Sequence, residues 1–363
     1  MPGRATRTAF PQFDSKGQVM KQPSPSRKLL LPVVPAYRLA LLLRELSLRT
    51  GIEPVNRLHF PVVSVGNLSA GGAGKTPLTI ALAKALDARG LRVDVLSRGY
   101  GRRGQRPARV DPEGTANEFG DEPLLIARQT GVPVYVSGQR FGAGQLAEAF
   151  APPDASFAHS PAVHILDDGF QHRQLHRDVD ILLLDHRDWL AEGLLPAGNL
   201  REPRKAALRA TIIAIPAPDR APEFEAALRK WGWQGPVWKL HRKMDVPVLN
   251  GPVVAFCGIA RPEQFFAGLE AAGQRIADRI AFPDHHRFTT VNLKRIVGKA
   301  RDTGATALIT TEKDLVRLGT LSAFFPESLP LKVVHLHIEI EHGNEAIDLL
   351  VNLLETARPH TPL

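Results

Sequence analysis

The segment that decides the fold is a strand, a glycine-rich turn and a helix in direct succession. The strand is Pro61-Val62-Val63-Ser64-Val65, the turn is Ser69-Ala70-Gly71-Gly72-Ala73-Gly74-Lys75-Thr76, and the helical stretch begins at Pro77. Glycines let backbone N–H groups converge on phosphate oxygens, and a helix start adds unpaired donors and the positive end of a dipole. This order is typical of a phosphate-binding loop.

The polar side chains of the turn have expected roles. We expect the eight turn residues to bind a nucleoside triphosphate, with Lys75 on the β- and γ-phosphates and the Thr76 hydroxyl on Mg²⁺. Ser69 departs from the usual pattern, in which the loop begins with glycine. A turn that contains Gly-Lys-Thr by chance is the alternative, and the flanking strand and helix argue against it. The loop alone does not distinguish a kinase from a GTPase or a motor protein.

Apolar segments of strand length alternate with helical periodicity on both sides of the turn. The expected strands are residues 61–65, 92–96, 133–136, 162–166, 179–184, 211–215, 253–257, 276–281, 306–310 and 331–337. The expected helices include residues 78–89, 262–272, 290–302 and 343–356. This alternation predicts an α/β fold with a mostly parallel sheet covered by helices.

The length of 363 residues suggests about two domains, because single cores stop growing near ~250 residues. The alternation breaks at residues 237–240 and 246–248, which resemble short connecting strands. We therefore expect a nucleotide-binding domain over residues 51–238 and a smaller α/β domain, including the linker, over residues 239–363. Residues 1–28 carry six basic residues and one acidic residue, and they are expected to be a disordered basic extension.

Charge and cysteine usage narrow the class of protein. The formal net charge of +9 favours acidic partners, such as a phosphorylated substrate, an anionic membrane surface or a nucleic acid. The single cysteine, Cys257, excludes an internal disulfide and any multi-cysteine zinc site. Cys257 ends an apolar run, so we expect a buried, inert thiol in a protein of a reducing, cytoplasmic compartment.

Residues 29–50 combine apolar and basic side chains. Two prolines and Arg38 interrupt the apolar stretch, whereas a bilayer-spanning helix needs about 20 consecutive apolar residues. The leucines at positions 39, 42, 43 and 46 recur at helical spacing, with charged residues between them. Two interpretations stay open: a helix packed on the adjacent domain, or an interfacial helix that enters lipid beside the basic extension.

Acidic side chains follow the strand 162–166. Asp167 and Asp168 stand where the carboxyl end of a parallel strand places groups that organise Mg²⁺. Gln171 and His172 follow within the same loop. Capping of the loop by the two aspartates is the alternative interpretation.

Two further segments carry acid–base candidates. In Gly120-Asp121-Glu122-Pro123 the plain interpretation of Asp121 is a helix N-cap, and taken alone it is the better one. In Pro283-Asp284-His285-His286 an aspartate beside an imidazole is an arrangement suited to a general base. Polar residues of a surface loop are the alternative for this second segment.

Three loops carry charged residues that suit ligands. Thr311-Glu312-Lys313-Asp314 weakly resembles loops that bind a purine edge through Lys and Asp. The segment Arg98-Gly99-Tyr100-Gly101-Arg102-Arg103 suits a substrate phosphate, and Tyr100 is placed to line a pocket. Glu202 lies in a third loop, Gly198-Asn199-Leu200-Arg201-Glu202-Pro203.

Seven segments, taken in order, resemble the tetraacyldisaccharide 4'-kinases, the lipid A 4'-kinases of Gram-negative bacteria. They are residues 64–68 leading into the turn, 97–101, 120–123, 167–172, 200–203, 282–285 and 311–314. The resemblance extends from about residue 30 to residue 354. Each segment alone is weakly specific, whereas seven in order, around a turn with the family's own non-glycine first position, are highly specific. The serine at position 69, which departs from the usual phosphate-loop pattern, therefore supports the resemblance.

The resemblance implies a reaction and a fold. The family transfers the γ-phosphoryl group of ATP, with Mg²⁺, to the 4'-hydroxyl of a tetraacyldisaccharide 1-phosphate. It works at the cytoplasmic face of the bacterial inner membrane, anchored peripherally by an N-terminal apolar helix. The implied fold is a P-loop NTPase-like α/β/α sandwich with a second, smaller α/β/α domain, a short two-stranded linker, and the active site in the cleft between the domains.

The resemblance also implies roles for single residues. Asp121 and His285 match the pair that deprotonates the sugar hydroxyl, so both are expected to be catalytic. We expect Thr76, Glu122 and Asp167 to hold the metal, and Lys313 and Asp314 to join residues 69–76 in binding ATP. The residues expected to contact the substrate are Arg98, Tyr100, Asp168, Gln171, His172 and Glu202.

Two other classes of protein remain as alternatives. A P-loop GTPase or ATPase switch, including a metallochaperone-like protein that uses His285 and His286, would hydrolyse nucleotide without a lipid acceptor. A nucleic-acid-binding module would need a basic stripe with interleaved aromatic residues, and the chain has three Tyr and four Trp without such a stripe. We therefore expect no nucleic-acid partner, and no obligate protein partner is evident.

Overall fold

A computed structural model describes residues 27, 29–72, 74–151, 161–185, 189, 193–217 and 221–357. The expected basic extension, apart from Arg27, lies outside the described residues. Ala73 of the phosphate loop also lies outside them.

Within the described residues, twelve strands form one continuous sheet in the order β10-β9-β11-β12-β8-β7-β6-β1-β5-β2-β4-β3. The strands are β1 Val62–Asn67, β2 Arg92–Ser97, β3 Ala108–Arg109, β4 Val134–Val136, β5 Ala162–Asp167, β6 Val179–Leu183, β7 Ile212–Pro216, β8 Val237–Asp245, β9 Val253–Cys257, β10 Ile276–Ala281, β11 Ala307–Thr311 and β12 Leu331–Ile340. All neighbours pair in parallel except β12 with β8 and β3 with β4.

Helices cover both faces of the sheet. They are α1 Val34–Arg49, α2 Lys75–Asp87, α3 Ala116–Phe119, α4 Asp121–Thr130, α5 Arg140–Ala149, α6 Ala221–Trp231, α7 Pro262–Ala271, α8 Thr290–Asp302, α9 Glu312–Leu318 and α10 Gly343–Ala357. Short 3₁₀ turns span Leu31–Val33, Arg204–Arg209 and Gly319–Phe324. The predicted α/β fold with a mostly parallel sheet is confirmed.

The central strands explain where the functional loops lie. Every residue of β1 and β5 is buried, as expected for parallel strands covered on both faces. β1 pairs in parallel with β5 on one side and with β6 on the other, and β2 pairs in parallel with β5. The carboxyl ends of β1, β2 and β5 therefore meet at one edge of the sheet, where the phosphate loop, the 98–101 loop and the Asp167–Asp168 pair follow.

Two long strands connect the halves of the molecule. β8 pairs with β7 through residues 237–240 and with β12 through residues 240–245. We call residues 29–240 with 341–357 the first lobe, residues 246–334 the second lobe, and the β8–β12 ladder the linker. The sequence predicted two short strands here, whereas one strand runs through the polar segment and residues 246–248 lie outside it. Pairing with β12 lengthens β8 beyond the predicted strand, and no apolar pattern in the sequence indicated this pairing.

The last helix differs from the sequence-based division of the chain. Residues 239–363 were expected to form the second domain, but Ile347 and Leu350 of α10 pack with Val63 and Leu82 in the core of the first lobe. The chain returns along β12 before α10 begins, and the amphipathic pattern of the helix does not specify which lobe buries it.

The second lobe has a core on each face of its own strands. One core packs β9 and β11 against α8, and the other packs them against α7. Cys257 ends β9 and is fully buried, as the sequence predicted. Burial raises the pKa of its thiol to about 12, which keeps the group protonated and unreactive.

Candidate active site between the lobes

A cleft of about 1720 Å³ lies between the phosphate loop, the second-lobe loops and α1. Most of the residues that the sequence predicted for the site line it. They are Gly71, Gly72, Gly74, Lys75, Thr76, Arg98, Tyr100, Glu122, Asp167, Asp168, Gln171, Glu202, His285 and Lys313. The structure thus gathers residues from both lobes around one cavity.

The phosphate loop is held by a residue that the predicted site did not include. Asn67, the last residue of β1, donates from Nδ2 to the Ser69 carbonyl oxygen at 2.8 Å and accepts from Lys75 Nζ at 3.2 Å. Ser69 is buried, and the Ala70 N–H donates to the Asn199 carbonyl, so Ser69 and Ala70 shape the loop rather than line the cleft. Gly74 has φ 92°, a conformation that glycine adopts without strain.

Asp167 lines the cleft but is almost completely buried. Its oxygens are 3.3 Å from Thr79 Oγ1 and 3.5 Å from Ser97 Oγ. Burial and the neighbouring carboxylates Glu122 and Asp168 raise the pKa of Asp167 to about 7, despite the opposing effect of the lysine in the phosphate loop. Such a crowded set of carboxylates is a chemical environment that favours a bound cation.

Within the described residues, no three His, Cys, Asp or Glu side chains form a ready-made metal site. Magnesium sites commonly use one or two carboxylates together with water and substrate phosphates, so a protein cage is not required. Thr76 and Asp167 both line the cleft and supply suitable oxygens.

Asp168 is fixed by an arginine from the third loop. Arg201 Nη1 donates to both carboxylate oxygens of Asp168, at 2.8 and 3.0 Å, and to Gln171 Oε1 at 3.2 Å. Lys75 Nζ lies 3.6 Å from Asp168 Oδ1. Burial would raise the pKa of Asp168, but Lys75 and Arg201 lower it below its ordinary value. Arg201 was present in a predicted motif but was not among the predicted site residues.

The Asp121–His285 pair spans the two lobes. His285 Nδ1 lies 3.0 Å from Asp121 Oδ2, and the His285 ring stacks at a tilt on Tyr100, with 5.1 Å between ring centroids. Asp121 is buried behind His285, whose side chain remains 31% exposed to the cleft. Burial would raise the pKa of Asp121, but the His285 hydrogen bond and the charges of Lys313 and Arg317 hold it far below its usual range.

The two residues predicted to bind a purine, Lys313 and Asp314, lie in different environments. Lys313 lines the cleft, where its Nζ lies 2.6 Å from Glu122 Oε1. Asp314 is fully buried and takes no part in the cleft wall: its carboxylate accepts from the Gly258 N–H at 3.0 Å and from Thr311 Oγ1 at 2.7 Å. Asp314 belongs to the first turn of α9, which Thr311 caps. The structure therefore gives Asp314 a structural role in place of the predicted contact with ATP.

His172 also lies outside the cleft wall, in contrast to the predicted substrate contact. Its ring is half-buried in the loop after β5, and its carbonyl accepts from Arg177. Burial and the charges of Arg140 and Arg44 lower the pKa of His172 to about 4. Glu202 does line the cleft, where Arg209 Nη2 lies 2.7 Å from its carboxylate.

The second lobe and β8 of the linker both approach the phosphate loop closely. A Cβ atom on Gly72 would stand 3.2 Å from Ala260 Cβ, and one on Gly74 would collide with the guanidinium of Arg242. Arg261 Nη1 donates to Asp185 Oδ2 at 2.7 Å from the opposite lobe. Because glycine has no Cβ atom, Gly72 and Gly74 leave room for these neighbouring groups beside the phosphate loop.

Helix α1 forms a further wall of the cleft. Its Tyr37 hydroxyl donates to the Arg201 carbonyl at 2.8 Å, and Arg44 donates to the Gln171 carbonyl at 3.0 Å. Its outer face exposes four leucines, at 56%, 66%, 58% and 57%, at positions 39, 42, 43 and 46. In the part of the chain that the structure describes, no helix has the length and apolar character needed to cross a bilayer. One face of α1 therefore packs on the first lobe, while the opposite face is apolar and open.

Comparison with known proteins connects this geometry to one family. The family model described as tetraacyldisaccharide-1-P 4'-kinase matches residues 26–355. A tetraacyldisaccharide 4'-kinase of Koribacter versatilis is 39% identical over 310 residues, which cover 82% of this chain and 90% of that protein. One of Anaeromyxobacter sp. strain K is 39% identical over 356 residues, 91% of each chain.

A solved structure agrees with these relatives. The crystal structure of LpxK from Aquifex aeolicus, described as an "apo" form in complex with ATP, superposes with a TM-score of 0.70 at 31% identity. The superposition covers 91% of this chain and 99% of that chain. The resemblance carried by the seven sequence segments is therefore confirmed, and this chain belongs to the tetraacyldisaccharide-1-P 4'-kinase family.

Proposed function

We propose that this chain transfers the γ-phosphoryl group of ATP to the 4'-hydroxyl of a tetraacyldisaccharide 1-phosphate, which forms the 4'-phosphate of lipid A. The observation that carries the proposal is the Asp121–His285 pair, with 3.0 Å between Oδ2 and Nδ1, beside the cleft that Lys75 also lines. A phosphate loop alone serves many reactions, whereas a loop facing an acid–imidazole pair suits transfer to a hydroxyl.

The acid–base step follows from the geometry of the pair. With its Nδ1–H donated to Asp121, His285 presents Nε2 as the proton acceptor for the sugar hydroxyl. Asp121 stays ionised because its pKa lies far below the usual range, so it stabilises the imidazolium that forms. Tyr100 packs on the imidazole and restricts its orientation. His285 then returns the proton to solvent when the lobes open.

The triphosphate would lie along the phosphate loop. Loop N–H groups and Lys75 donate to its oxygens, and Asp168 keeps Lys75 oriented toward them. Thr76 and Asp167, with Glu122 beside them, would supply oxygen ligands for Mg²⁺, because the burial and the neighbouring carboxylates that raise the pKa of Asp167 favour a cation beside it. When bound, Mg²⁺ supplies neutralisation of the triphosphate charge.

Closure of the lobes would assemble the site. Asp121 belongs to the first lobe and His285 to the second, so the pair forms when the lobes meet. The close approach of Ala260 in the second lobe to Gly72 of the phosphate loop supports the same closure. A closed cleft excludes water, which would otherwise hydrolyse ATP without transfer.

The acceptor would enter from a membrane surface. The exposed leucines of α1 adjoin the cleft, and the substrate of this reaction carries four acyl chains. We infer that α1 lies in the interfacial region of the cytoplasmic face of the inner membrane, peripherally, with its apolar face toward lipid. The net charge of +9 favours the same anionic surface.

The proposal is tested with γ-³²P-labelled ATP and a tetraacyldisaccharide 1-phosphate dispersed in detergent micelles, with Mg²⁺ present. We expect label in the lipid product with the wild-type chain and a loss of several orders of magnitude with Lys75→Ala. Release of labelled phosphate that does not depend on the acceptor would instead support a nucleotide-hydrolysing switch.

A further inference from the structure

Arg317 lies directly behind the Asp121–His285 pair and belongs to none of the seven sequence segments. It is on α9 of the second lobe, and its side chain is 5% exposed. Its Nε donates to Asp121 Oδ2 at 2.7 Å, and its Nη2 lies 2.6 Å from the same oxygen. Because Arg317 is absent from the cleft wall, it reaches no substrate atom and acts through its neighbours.

The same guanidinium also holds the backbone that carries His285. Its Nη1 donates to the Gly258 carbonyl oxygen, which also accepts from the backbone N–H of His285 at 3.2 Å. Nη1 further donates to Asp314 Oδ1 at 3.0 Å, while Asp314 Oδ2 accepts from the Gly258 N–H. Arg317 is therefore bonded at once to the carboxylate of the pair and to the carbonyl that holds the backbone of His285.

The remaining bonds of Asp121 complete a fixed geometry. Oδ1 accepts from the backbone N–H of Glu122 at 3.0 Å, and Oδ2 faces both His285 and Arg317. The backbone of His285 has φ 58°, a strained conformation that persists only where surrounding bonds impose it. A planar guanidinium with several donors can bond these groups simultaneously, whereas a lysine ammonium is a single point charge.

We propose that Arg317 is a positioning residue for the phosphoryl transfer: it fixes the Asp121 carboxylate of one lobe against the Gly258–His285 backbone of the other, so that Nε2 faces the acceptor hydroxyl. The inference rests on the proposed function. It assigns the buried guanidinium a role in the chemical step, in addition to its charge balance with Asp121 and Asp314.

The test compares Arg317→Met, Arg317→Lys and, as a matched control, Arg301→Met, which changes an exposed arginine of α8. For Arg317→Met we expect kcat to fall about 10²-fold while the KM for ATP changes less than about threefold. Arg317→Lys should recover roughly tenfold of this loss, because it restores the charge and part of the bonding. Arg301→Met should match the wild type.

Coupling to His285 separates positioning from general damage. In a His285→Ala background, adding Arg317→Lys should lower kcat no further, because the residue acts through the imidazole. A further drop of the full single-variant size, an increase in the KM for ATP with unchanged kcat, or wild-type kcat in Arg317→Met would each overturn the proposal. If Arg317→Met does not fold, Arg317→Lys and this double variant still decide it.

A readout without substrate separates this inference from the proposed function. The ¹⁵N chemical shifts of the His285 imidazole report its hydrogen bond to Asp121, and we expect Arg317→Lys to alter them whether or not a lipid acceptor is phosphorylated. Unchanged shifts would contradict the positioning role. Absence of acceptor-dependent transfer by the wild-type chain would contradict only the proposed function.

Discussion

At the residue scale, two cleft residues hold backbone conformations that L-amino acids rarely adopt. Among the described residues, the non-glycine residues with positive φ are Asp168 at 50°, His285 at 58° and His342 at 52°. The backbone conformations of Asp168 and His285 each cost about 1–3 kcal/mol. Arg201 holds the Asp168 side chain, and the Gly258 carbonyl holds the backbone of His285. Strain of this kind concentrates where side chains must be aimed rather than merely packed.

Removing the carboxylate of the acid–imidazole pair should affect the chemical step. For Asp121→Ala and the isosteric Asp121→Asn, we expect kcat to fall about 10²- to 10⁴-fold, because His285 loses the group that orients it and stabilises the imidazolium. ATP affinity, measured by calorimetry, should change little, since Asp121 does not line the cleft. Asp87→Asn, an exposed change in the same lobe, is the control, and wild-type turnover of Asp121→Asn would contradict the role.

The imidazole of His172 should make stability depend on pH. Its pKa is lowered to about 4, whereas an unfolded histidine has a pKa near ~6.5. Between these values the unfolded chain binds a proton that the native chain does not, so stability is lost as pH falls from about 6.5 to 4. His172→Gln should flatten this loss in a series of Tm measurements from pH 7.5 to 4.5. Parallel Tm curves for variant and wild type would show that His172 does not contribute.

Residue identities near the cleft could be predicted where a local motif carries them. Lys75, Asp167 and His285 lie at or after the ends of strands within short, recognisable segments, and the structure brings them to one cavity. The partners that orient them, such as Arg201 and Arg317, are defined by distances between segments far apart in the chain, which no spacing reveals. The predicted contact of Asp314 with ATP has no support in its position, because its buried carboxylate bonds to Thr311, to the Gly258 N–H and to Arg317, which no local spacing reveals.

At the element scale, helix α1 has one face packed on the first lobe and an opposite face that is exposed. Its inner face packs Val34, Tyr37 and Leu41 on the first lobe, and its outer leucines remain open. The predicted packing of α1 on the adjacent domain is confirmed, whereas entry of its outer face into lipid stays a prediction that rests on these open leucines. Which surface covers the outer leucines is the part that the sequence leaves open.

Changing the outer face should weaken attachment to lipid. We expect Leu43→Ser combined with Leu46→Ser to reduce sedimentation with anionic phospholipid vesicles about tenfold or more, because each leucine contributes apolar area to insertion. Val248→Ser combined with Val291→Ser removes two exposed apolar residues of the second lobe and is the matched control. Equal sedimentation of the two double variants would contradict an interfacial role for α1. Thermal unfolding should be similar in both, since none of the four positions is buried.

Most strands were predictable to within one or two residues because parallel strands buried on both faces are continuous apolar runs. β8 was not, since its second half carries His241, Arg242 and Lys243 and pairs only with β12. Pairing between distant segments, rather than local pattern, determines where such a linker strand ends.

At the scale of the whole molecule, the chain leaves the first lobe along β8 and returns along β12. The two strands form an antiparallel ladder from Leu240 opposite Ile340 to Asp245 opposite His335. The sequence predicted two units and a two-stranded linker, but it could not show that α10 returns to the first core. Burial of a C-terminal helix depends on which apolar surface remains uncovered, and that is a property of the assembled lobes.

Replacing residues 246–334 with a two-residue Asn-Gly turn should leave a folded first lobe. Asp245 and His335 are opposed in the ladder, so a hairpin turn can join them without moving either strand. We expect a cooperative thermal transition and retained binding of a fluorescent ATP analogue, at reduced affinity because Lys313 and the loop at Ala260 are lost. Phosphoryl transfer should disappear with His285. Absence of cooperative unfolding would show that the first lobe requires the second.

The adjacent exit and return of the chain also restrict how the lobes move relative to each other. Because the two tethers are hydrogen-bonded to each other, sliding one past the other by a single residue would send alternate side chains to the wrong face of the ribbon. Twisting the ribbon about its long axis preserves every pair. The second lobe is therefore an insertion carried on a two-stranded ribbon, and we expect it to move by twisting or bending of this ribbon rather than by sliding of its strands.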